Sequence, residues 1–600
     1  MTWPSPFPTA TWRAVIAAAL AALGVMSCPT TVAAQRAASE RLRSLMNSAW
    51  EFELRESPLM ATRVGDSRYD DQLPRMAPRD LERRRDTVRV YLTRLGAIDR
   101  RALGEQDRVS AAMLELRLRT QLEELDGGED RIPILVDDGF HISLAQLPSY
   151  APRQTVKEVE RYIARLRQAP RYVREHIALM RQGIATNFTM PKVVLEGYEG
   201  TISAHVVDDA TKSVFYRPLA QLPGAMPAGD RERLRAAAAA AIRDSVVPAY
   251  RELLTFMTGE YIPAARQTIA ASDLPDGRAY YLRQVRKYTT LDLSPDSIHA
   301  LGLAEVARIR AEMQQAMRRA GFTGAMPEFI RMLRTDPRFY AKTPDELLRQ
   351  ASWIAKRMDG KLPSLFRTLP RQPYGVEPVP EHLAPKYTAG RYVGAPKDGP
   401  EPGKYWVNTY DLPSRPLYAL EALTLHEAVP GHHLQSALAQ EMEALPAFRR
   451  HSYLSAFGEG WGLYAERLGL EAGFYTDPYS DFGRLTYEMW RACRLVVDTG
   501  IHWKGWTRDQ VMRYLAEHTA LSLHEVRTET DRYISWPGQA LAYKLGELKI
   551  RELRLRAERS LGSRFDVRDF HDAVLRNGSV PLPVLEDEIE RYVAEVVGRH

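Results

Sequence analysis

The stretch His426-Glu427-Ala428-Val429-Pro430-Gly431-His432-His433 decides how this chain is read. It joins two residues of metal-ligand type to a carboxylate that directly follows the first of them. Downstream, Phe457-Gly458-Glu459-Gly460-Trp461 supplies a second carboxylate. Two histidines and a glutamate around one zinc, with the fourth position left to water, is the donor set of many zinc peptidases. In the short form H-E-x-x-H the histidines stand one helical turn apart and reach the same ion. Here the second histidine comes six (His432) or seven (His433) residues after the first. On an unbroken helix six residues rise about 9 Å, too far for two imidazoles whose bonds to one ion are about 2.0–2.1 Å.

Pro430-Gly431 offers the remedy. Proline lacks the helical N–H donor and glycine accepts unusual dihedrals. The helix bearing His426 and Glu427 should break or bulge at Pro430 and bring His432 back beside His426. His432 is the expected second ligand, because a Gly-His pair closes the motif in several zinc peptidases. His433 is the reserve, behind the ligands or facing substrate. Glu427 is then placed to take a proton from an attacking water and return it to the leaving amine. Glu459 is the expected third ligand, from a second helix. Glu466, seven residues on and on the same helical face, is an alternative ligand or a partner that orients one.

These blocks resemble a known family. Tyr405-Trp406-Val407-Asn408-Thr409-Tyr410, the run Ala419–Gln435, and Phe457–Glu466 resemble the bacterial domain of unknown function numbered 885. So do Arg494–His502, Arg532-Tyr533 and Trp536–Lys544, and more weakly Gly65-Asp66-Ser67-Arg68-Tyr69-Asp70-Asp71. The resemblance implies a mainly α fold: a large multi-helix body related to the gluzincin zinc peptidases, with one zinc ion and a glutamate as third ligand. By analogy, a tyrosine or histidine near the scissile carbonyl steadies the oxyanion, which makes His502 and Tyr533 the catalytic candidates beside Glu427. Tyr410, Arg532, Tyr543 and Lys544 are the candidates for holding substrate, with Arg or Lys able to take a peptide's terminal carboxylate. The departure from the gluzincins is the two-residue enlargement between Glu427 and His432.

The chain has 600 residues, 45% hydrophobic and 26% charged, enough for a large core. A net charge of +6, spread over scattered arginines such as Arg83-Arg84-Arg85, gives no nucleic-acid footprint. No internal repeat of the motif blocks is visible. Residues 1–34 carry a single charge, Arg13, and the apolar run Ala14–Met26 is too short for a membrane span. This segment reads as a secretory signal with cleavage after Ala34. Val25-Met26-Ser27-Cys28 also resembles a bacterial lipoprotein box, which would make Cys28 a lipidated first residue. Either way the chain is expected to be exported, to the periplasm or the cell envelope. Cys28 and Cys493 are the only cysteines, so no internal disulfide is expected, and Cys493 reads as a buried helical thiol.

The remainder reads as helix after helix. Ser294-Pro295-Asp296 and Thr343-Pro344-Asp345-Glu346 are helix starts with a capping hydroxyl and an early proline. Between residues 368 and 415 prolines and glycines multiply, and Tyr405–Tyr410 reads as a strand of a small sheet beside the catalytic helix. Its edge would suit an extended substrate. One continuous family domain, 35–600, is expected, with an N-terminal helical lobe over 35–290, a catalytic lobe over 291–600, and substrate between them. The function that follows is zinc-dependent hydrolysis of short or extended peptides. The alternatives are a non-catalytic, peptide-binding envelope protein that keeps the metal, and a zinc amidase acting on cell-wall peptides.

Overall fold

The computed structural model describes residues 29–381, 384, 387–395 and 402–598. The leader through residue 28, with Cys28, lies outside these residues, as does Gly399-Pro400-Glu401. The described chain is mainly α-helical, with one small sheet. None of its helices is long and apolar enough to cross a membrane.

We number the helices that frame the site. In the first half these are α1 (Pro29–Glu56), α2 (Glu105–Gly127), α3 (Ala169–Ala185) and α4 (Val247–Phe256), followed by α5 (Gly277–Thr289). The second half holds α6 (Pro295–Arg319), α7 (Pro344–Asp359), α8 (Leu420–Glu427), α9 (His432–Glu441) and α10 (Ser455–Glu471). It continues with α11 (Pro478–Lys504), α12 (Leu523–Ser535) and α13 (Ala542–Leu561). The predicted starts are found at α6 and α7. Ser294 accepts from the Ser297 amide and Thr343 from the Glu346 amide, each ahead of a proline at the first helical position.

The second half is built around α11. From Ser480 to His502 every residue of this helix is buried, so it reads as apolar or paired on all sides rather than amphipathic. Asp477 caps its start, accepting from the amides of Tyr479 and Ser480. Helix α6 packs along one flank of α11, while α10 packs along α13. Helix α5 touches α10, α11 and α13 and so ties the halves together. A single apolar core continues from Ala38 to Tyr592, and side chains of the first half reach into the second. Gln106 bonds Asn577 at 2.9 Å, and the Arg449 guanidinium bonds the Ser110 hydroxyl at 3.1 Å.

The sheet has the order β1-β3-β2, with β1 (Tyr374–Pro378) parallel to β3 (Gly403–Val407) and β2 (Gly390–Val393) antiparallel to it. Tyr392 stands opposite Tyr405 and Gly390 opposite Val407. Gly403, Tyr405 and Val407 alternate inward, as a half-buried strand requires. The strand expected over Tyr405–Tyr410 therefore starts two residues earlier and ends at Val407. Asn408 stops it: its side-chain amide donates to the carbonyls of Ala384, Tyr387 and Thr388. The Tyr405 hydroxyl lies 3.3 Å from the Thr424 hydroxyl, which seats the sheet on α8. Strands β1 and β2 each leave an edge with no further strand among the described residues, and the free edge of β2 lies alongside the C-terminal turn of α8.

Candidate metal centre

Helix α8 stops at Glu427 and α9 begins at His432. The connecting Ala428–Gly431 turn leaves helical geometry, with ψ of −113° at Ala428 and −128° at Gly431. The turn is tight. A Cβ on Gly431 would collide with the His426 carbonyl oxygen, so only glycine lets the chain fold back on the residue that carries the first imidazole. The Trp461 indole N–H donates to the Pro430 carbonyl at 2.8 Å and pins the turn to α10. Gly462 provides the other close approach. A Cβ there would lie 2.6 Å from the His426 ring, so its absence lets that ring rest on α10.

The outcome is a convergence of three donors. One ligand atom each from His426, His432 and Glu459 lies within 4.8 Å of the others. Glu459 Oε2 is 3.6 Å from His426 Nε2 and 3.5 Å from His432 Nε2. These separations are long for hydrogen bonds. They match the edge of about 3.3 Å between ligands on a tetrahedron with bonds near 2.0–2.1 Å. Burial opposes charge on His426, yet the nearby Glu459 carboxylate and the hydrogen-bonded Glu466 carboxylate win and push its pKa up to about 10. Burial likewise works against ionised Glu459, but the two imidazoles hold its carboxyl well below the usual range. The triad is thus a cluster that favours added positive charge.

His426 Nδ1 sits 2.8 Å from Glu466 Oε1, which leaves Nε2 to face His432 and Glu459. Glu466 therefore orients the His426 ring, the carboxylate–histidine arrangement common at metal sites. His433 turns away. Its Nδ1 pairs with the Tyr392 hydroxyl at 3.2 Å and its Nε2 with the Gln372 carbonyl at 3.1 Å. Of the two adjacent histidines only His432 joins the triad.

Glu427 accepts the Tyr392 amide of β2 at 2.8 Å through Oε2. The free strand edge thus fixes the carboxylate next to the triad. Two further residues gather here that the sequence reading missed. The Tyr453 hydroxyl donates to Glu459 Oε1 at 2.8 Å, and its side chain is 54% exposed. Arg391 on β2 interacts electrostatically with both Glu427 and Glu459, though burial and the Tyr387 phenol are larger influences on its charge. The one sequence signal for Tyr453 is its place six residues before Glu459. Arg391 has none, because the sheet register brings it there.

Other candidates are not at this point. His502 is fully buried; its Nδ1 accepts the Ala271 amide at 3.0 Å and its Nε2 bonds the Tyr533 carbonyl at 2.9 Å. The Tyr533 hydroxyl accepts from Trp490 Nε1 at 2.8 Å and Arg494 Nε at 3.0 Å, and the residue is 1% exposed. Both are structural groups, not oxyanion donors, because their hydrogen-bonding capacity is spent inside the core. Lys544, fully buried, bonds Glu488 and Glu547 at 2.9 Å and Glu305 at 3.1 Å, so it does not hold substrate. Arg532 and Tyr543 keep closer ties to the site. Arg532 bonds Gln539 at 3.0 Å and Tyr543 at 3.4 Å, and Tyr543 acts electrostatically on Tyr453. Tyr410 is half exposed, its amide capped by Asn408. Cys493 is a free, buried thiol, as expected.

Two solved structures resemble the whole molecule. One, described as "the putative lipoprotein from Colwellia psychrerythraea", shares 30% identity at a TM-score of 0.87, over 93% of this chain and 99% of that one. Another, a "putative lipoprotein of unknown function from Shewanella oneidensis", has the same fold at 17% identity and a TM-score of 0.69, over 91% of this chain and 99% of that one. None of the curated proteins matches. The model of a family described as "bacterial protein of unknown function (DUF885)" matches residues 58–589. With nearly its whole length matched, the chain belongs to the DUF885 family of bacterial proteins.

Proposed function

We propose that this protein is a zinc-dependent peptidase anchored or released outside the cytoplasm. The observation that carries the reading is the meeting of His426 Nε2, His432 Nε2 and Glu459 Oε2, with Glu427 adjoining on the same helix. Histidine and carboxylate donors at this spacing suit zinc. When bound, the ion would polarise a carbonyl and ease deprotonation of water. Glu427 receives the proton of the attacking water and passes it to the leaving amine. Its grip on the Tyr392 amide keeps the carboxylate aimed. The exposed Tyr453 hydroxyl and the Arg391 charge take the oxyanion-steadying role that His502 and Tyr533 cannot fill. The free β2 edge receives the peptide as an added strand. Substrate lies between the N-terminal and catalytic lobes, and the Arg532 guanidinium there interacts with Asp137 of the first half. The two structural relatives described as lipoproteins support an envelope location and lipidation at Cys28.

The test pairs metal analysis with digestion of a mixed peptide library. Wild type should bind one zinc and cleave, and Glu427→Gln should keep the zinc and lose at least about 10²-fold in rate. A wild type that binds zinc yet leaves every peptide intact would instead identify a binding protein. Products confined to cell-wall peptides would identify an amidase of that class.

A further inference from the structure

A cavity of about 200 Å³ lies behind the free strand edge, among α7, α8, α11 and the start of α12. Its walls are largely apolar, with Leu347, Val407, Leu420, Leu423 and Leu521 among them. Its position relates it to the candidate catalytic carboxylate. Leu420 and Leu423 precede Glu427 by seven and four residues on α8, so all three share one helical face. Ala389, another wall residue, precedes Tyr392 by three, which is about 10 Å of extended chain. Gly390 and Arg391 lie between these two points, so a substrate side chain leaving the strand edge there has only part of that distance to cover.

Asn408 and Arg334 spend their donors on backbone carbonyls, but three other polar residues of the wall do not. Arg415 and Glu525 both line the cavity, yet neither head group forms an ion pair or side-chain hydrogen bond among the described residues; Glu525 feels Arg415, Arg491 and Arg494 only at longer range. Thr486, a third wall residue, is 2% exposed, and its hydroxyl has no hydrogen-bond partner. A buried hydroxyl left unpaired is costly, so a ligand that reaches it is favoured. Burial, then repulsion from Glu529, raises the Glu525 pKa to about 7, which a neighbouring ammonium would reverse.

We propose that this cavity is the side-chain pocket for a substrate residue with a short alkyl stem ending in a zwitterionic head. Arg415 takes the carboxylate, Glu525 the ammonium and Thr486 an added hydrogen bond. The apolar wall from α8 packs the stem. This deepens the peptidase reading and rests on it for the scissile bond, but the pocket can be tested without turnover.

The test measures binding of N-acetylated tripeptides to the Glu427→Gln protein loaded with zinc, by calorimetry. The central residue is norleucine, lysine, 2-aminoadipate or diaminopimelate. The diaminopimelate peptide should bind at least tenfold tighter than each of the other three. Glu525→Gln and Arg415→Met should each shrink its advantage over norleucine at least fivefold. Equal binding of lysine and diaminopimelate would overturn the zwitterion assignment in favour of a cation pocket. Equal binding of all four would overturn the pocket itself. The ligand series on the Glu427→Gln protein with the pocket intact decides this even if a pocket variant fails to fold. Loss of hydrolysis with the binding order intact would count against the peptidase reading and not against the pocket.

Discussion

The Ala428–His433 turn and the buried flank of α11 contain the same kinds of residue and do opposite things with them. At the turn, His426 Nε2 and His432 Nε2 face Glu459 Oε2 at 3.6 and 3.5 Å, too far for a short hydrogen bond to satisfy them. Along α11, His502 bonds at 2.9 and 3.0 Å, and Tyr533 accepts at 2.8 and 3.0 Å. Lys544 is likewise enclosed by three carboxylates. Residue type proposes a site, but unfilled bonding capacity at converging atoms is what sets one apart. Buried polar groups are satisfied as a rule, so a converging set that is not satisfied points to something missing from the protein itself.

The sharpest way to break this contrast is at the adjacent histidines. His432→Ala should remove the zinc and with it all hydrolysis, while His433→Ala should retain a full complement of metal. Metal per chain after dialysis reads this directly, and the reverse result would mean that the turn closes differently in solution.

The next effect in size belongs to the buried flank. Lys544→Ala removes the buried cation shared by Glu305, Glu488 and Glu547, while Arg308, Arg484 and Arg551 remain beside them. The arginines that remain bring the cost below the figure of about 3–5 kcal/mol for an uncompensated buried charge, a loss readable by urea unfolding, with zinc binding unchanged. A variant as stable as wild type but weaker in substrate binding would return Lys544 to the site. A smaller effect is expected where the two regions meet. Glu466 orients His426 from a buried position beside Arg491. Glu466→Gln should lower zinc affinity about 10–100-fold with little change in fold, measured by competition with a chelator.

These comparisons also show what was legible in advance. The helix–break–helix at Pro430, the meeting of His426, His432 and Glu459, and the helix starts at Ser294 and Thr343 could be read because each depends on local chemistry. The choice of His432 over His433 depends on how sharply the turn closes on His426, and Gly431 reveals that only in three dimensions. Arg391 and Tyr453 could not be read, because sheet register and the path into α10 place them. His502, Tyr533 and Lys544 were misread for the opposite reason. Their partners Ala271, Trp490 and Glu305 come from distant segments, and sequence spacing says nothing of them.

The smallest effect separates a structural histidine from a catalytic one by pH. Burial first, partly opposed by the Tyr533 carbonyl, holds the His502 pKa down to about 3. In the unfolded chain it titrates near 6.5. The unfolded state therefore binds the proton first, and the stability tied to neutral His502 is present above pH 6.5 and lost as pH falls toward 3. Between pH 6.5 and 5 the loss is about 2 kcal/mol. His141, His176 and His571 are also held near 3 by burial and add to the same slope. His502→Gln keeps one donor and one acceptor for Tyr533 and Ala271 but cannot be protonated. It should be less stable than wild type at pH 7 yet lose about 2 kcal/mol less on going to pH 5, with zinc content and the pH profile of hydrolysis unaltered. If it unfolds with the wild-type pH slope while the rate profile shifts, His502 acts on the substrate, and the division between an open site and a satisfied core fails at that residue.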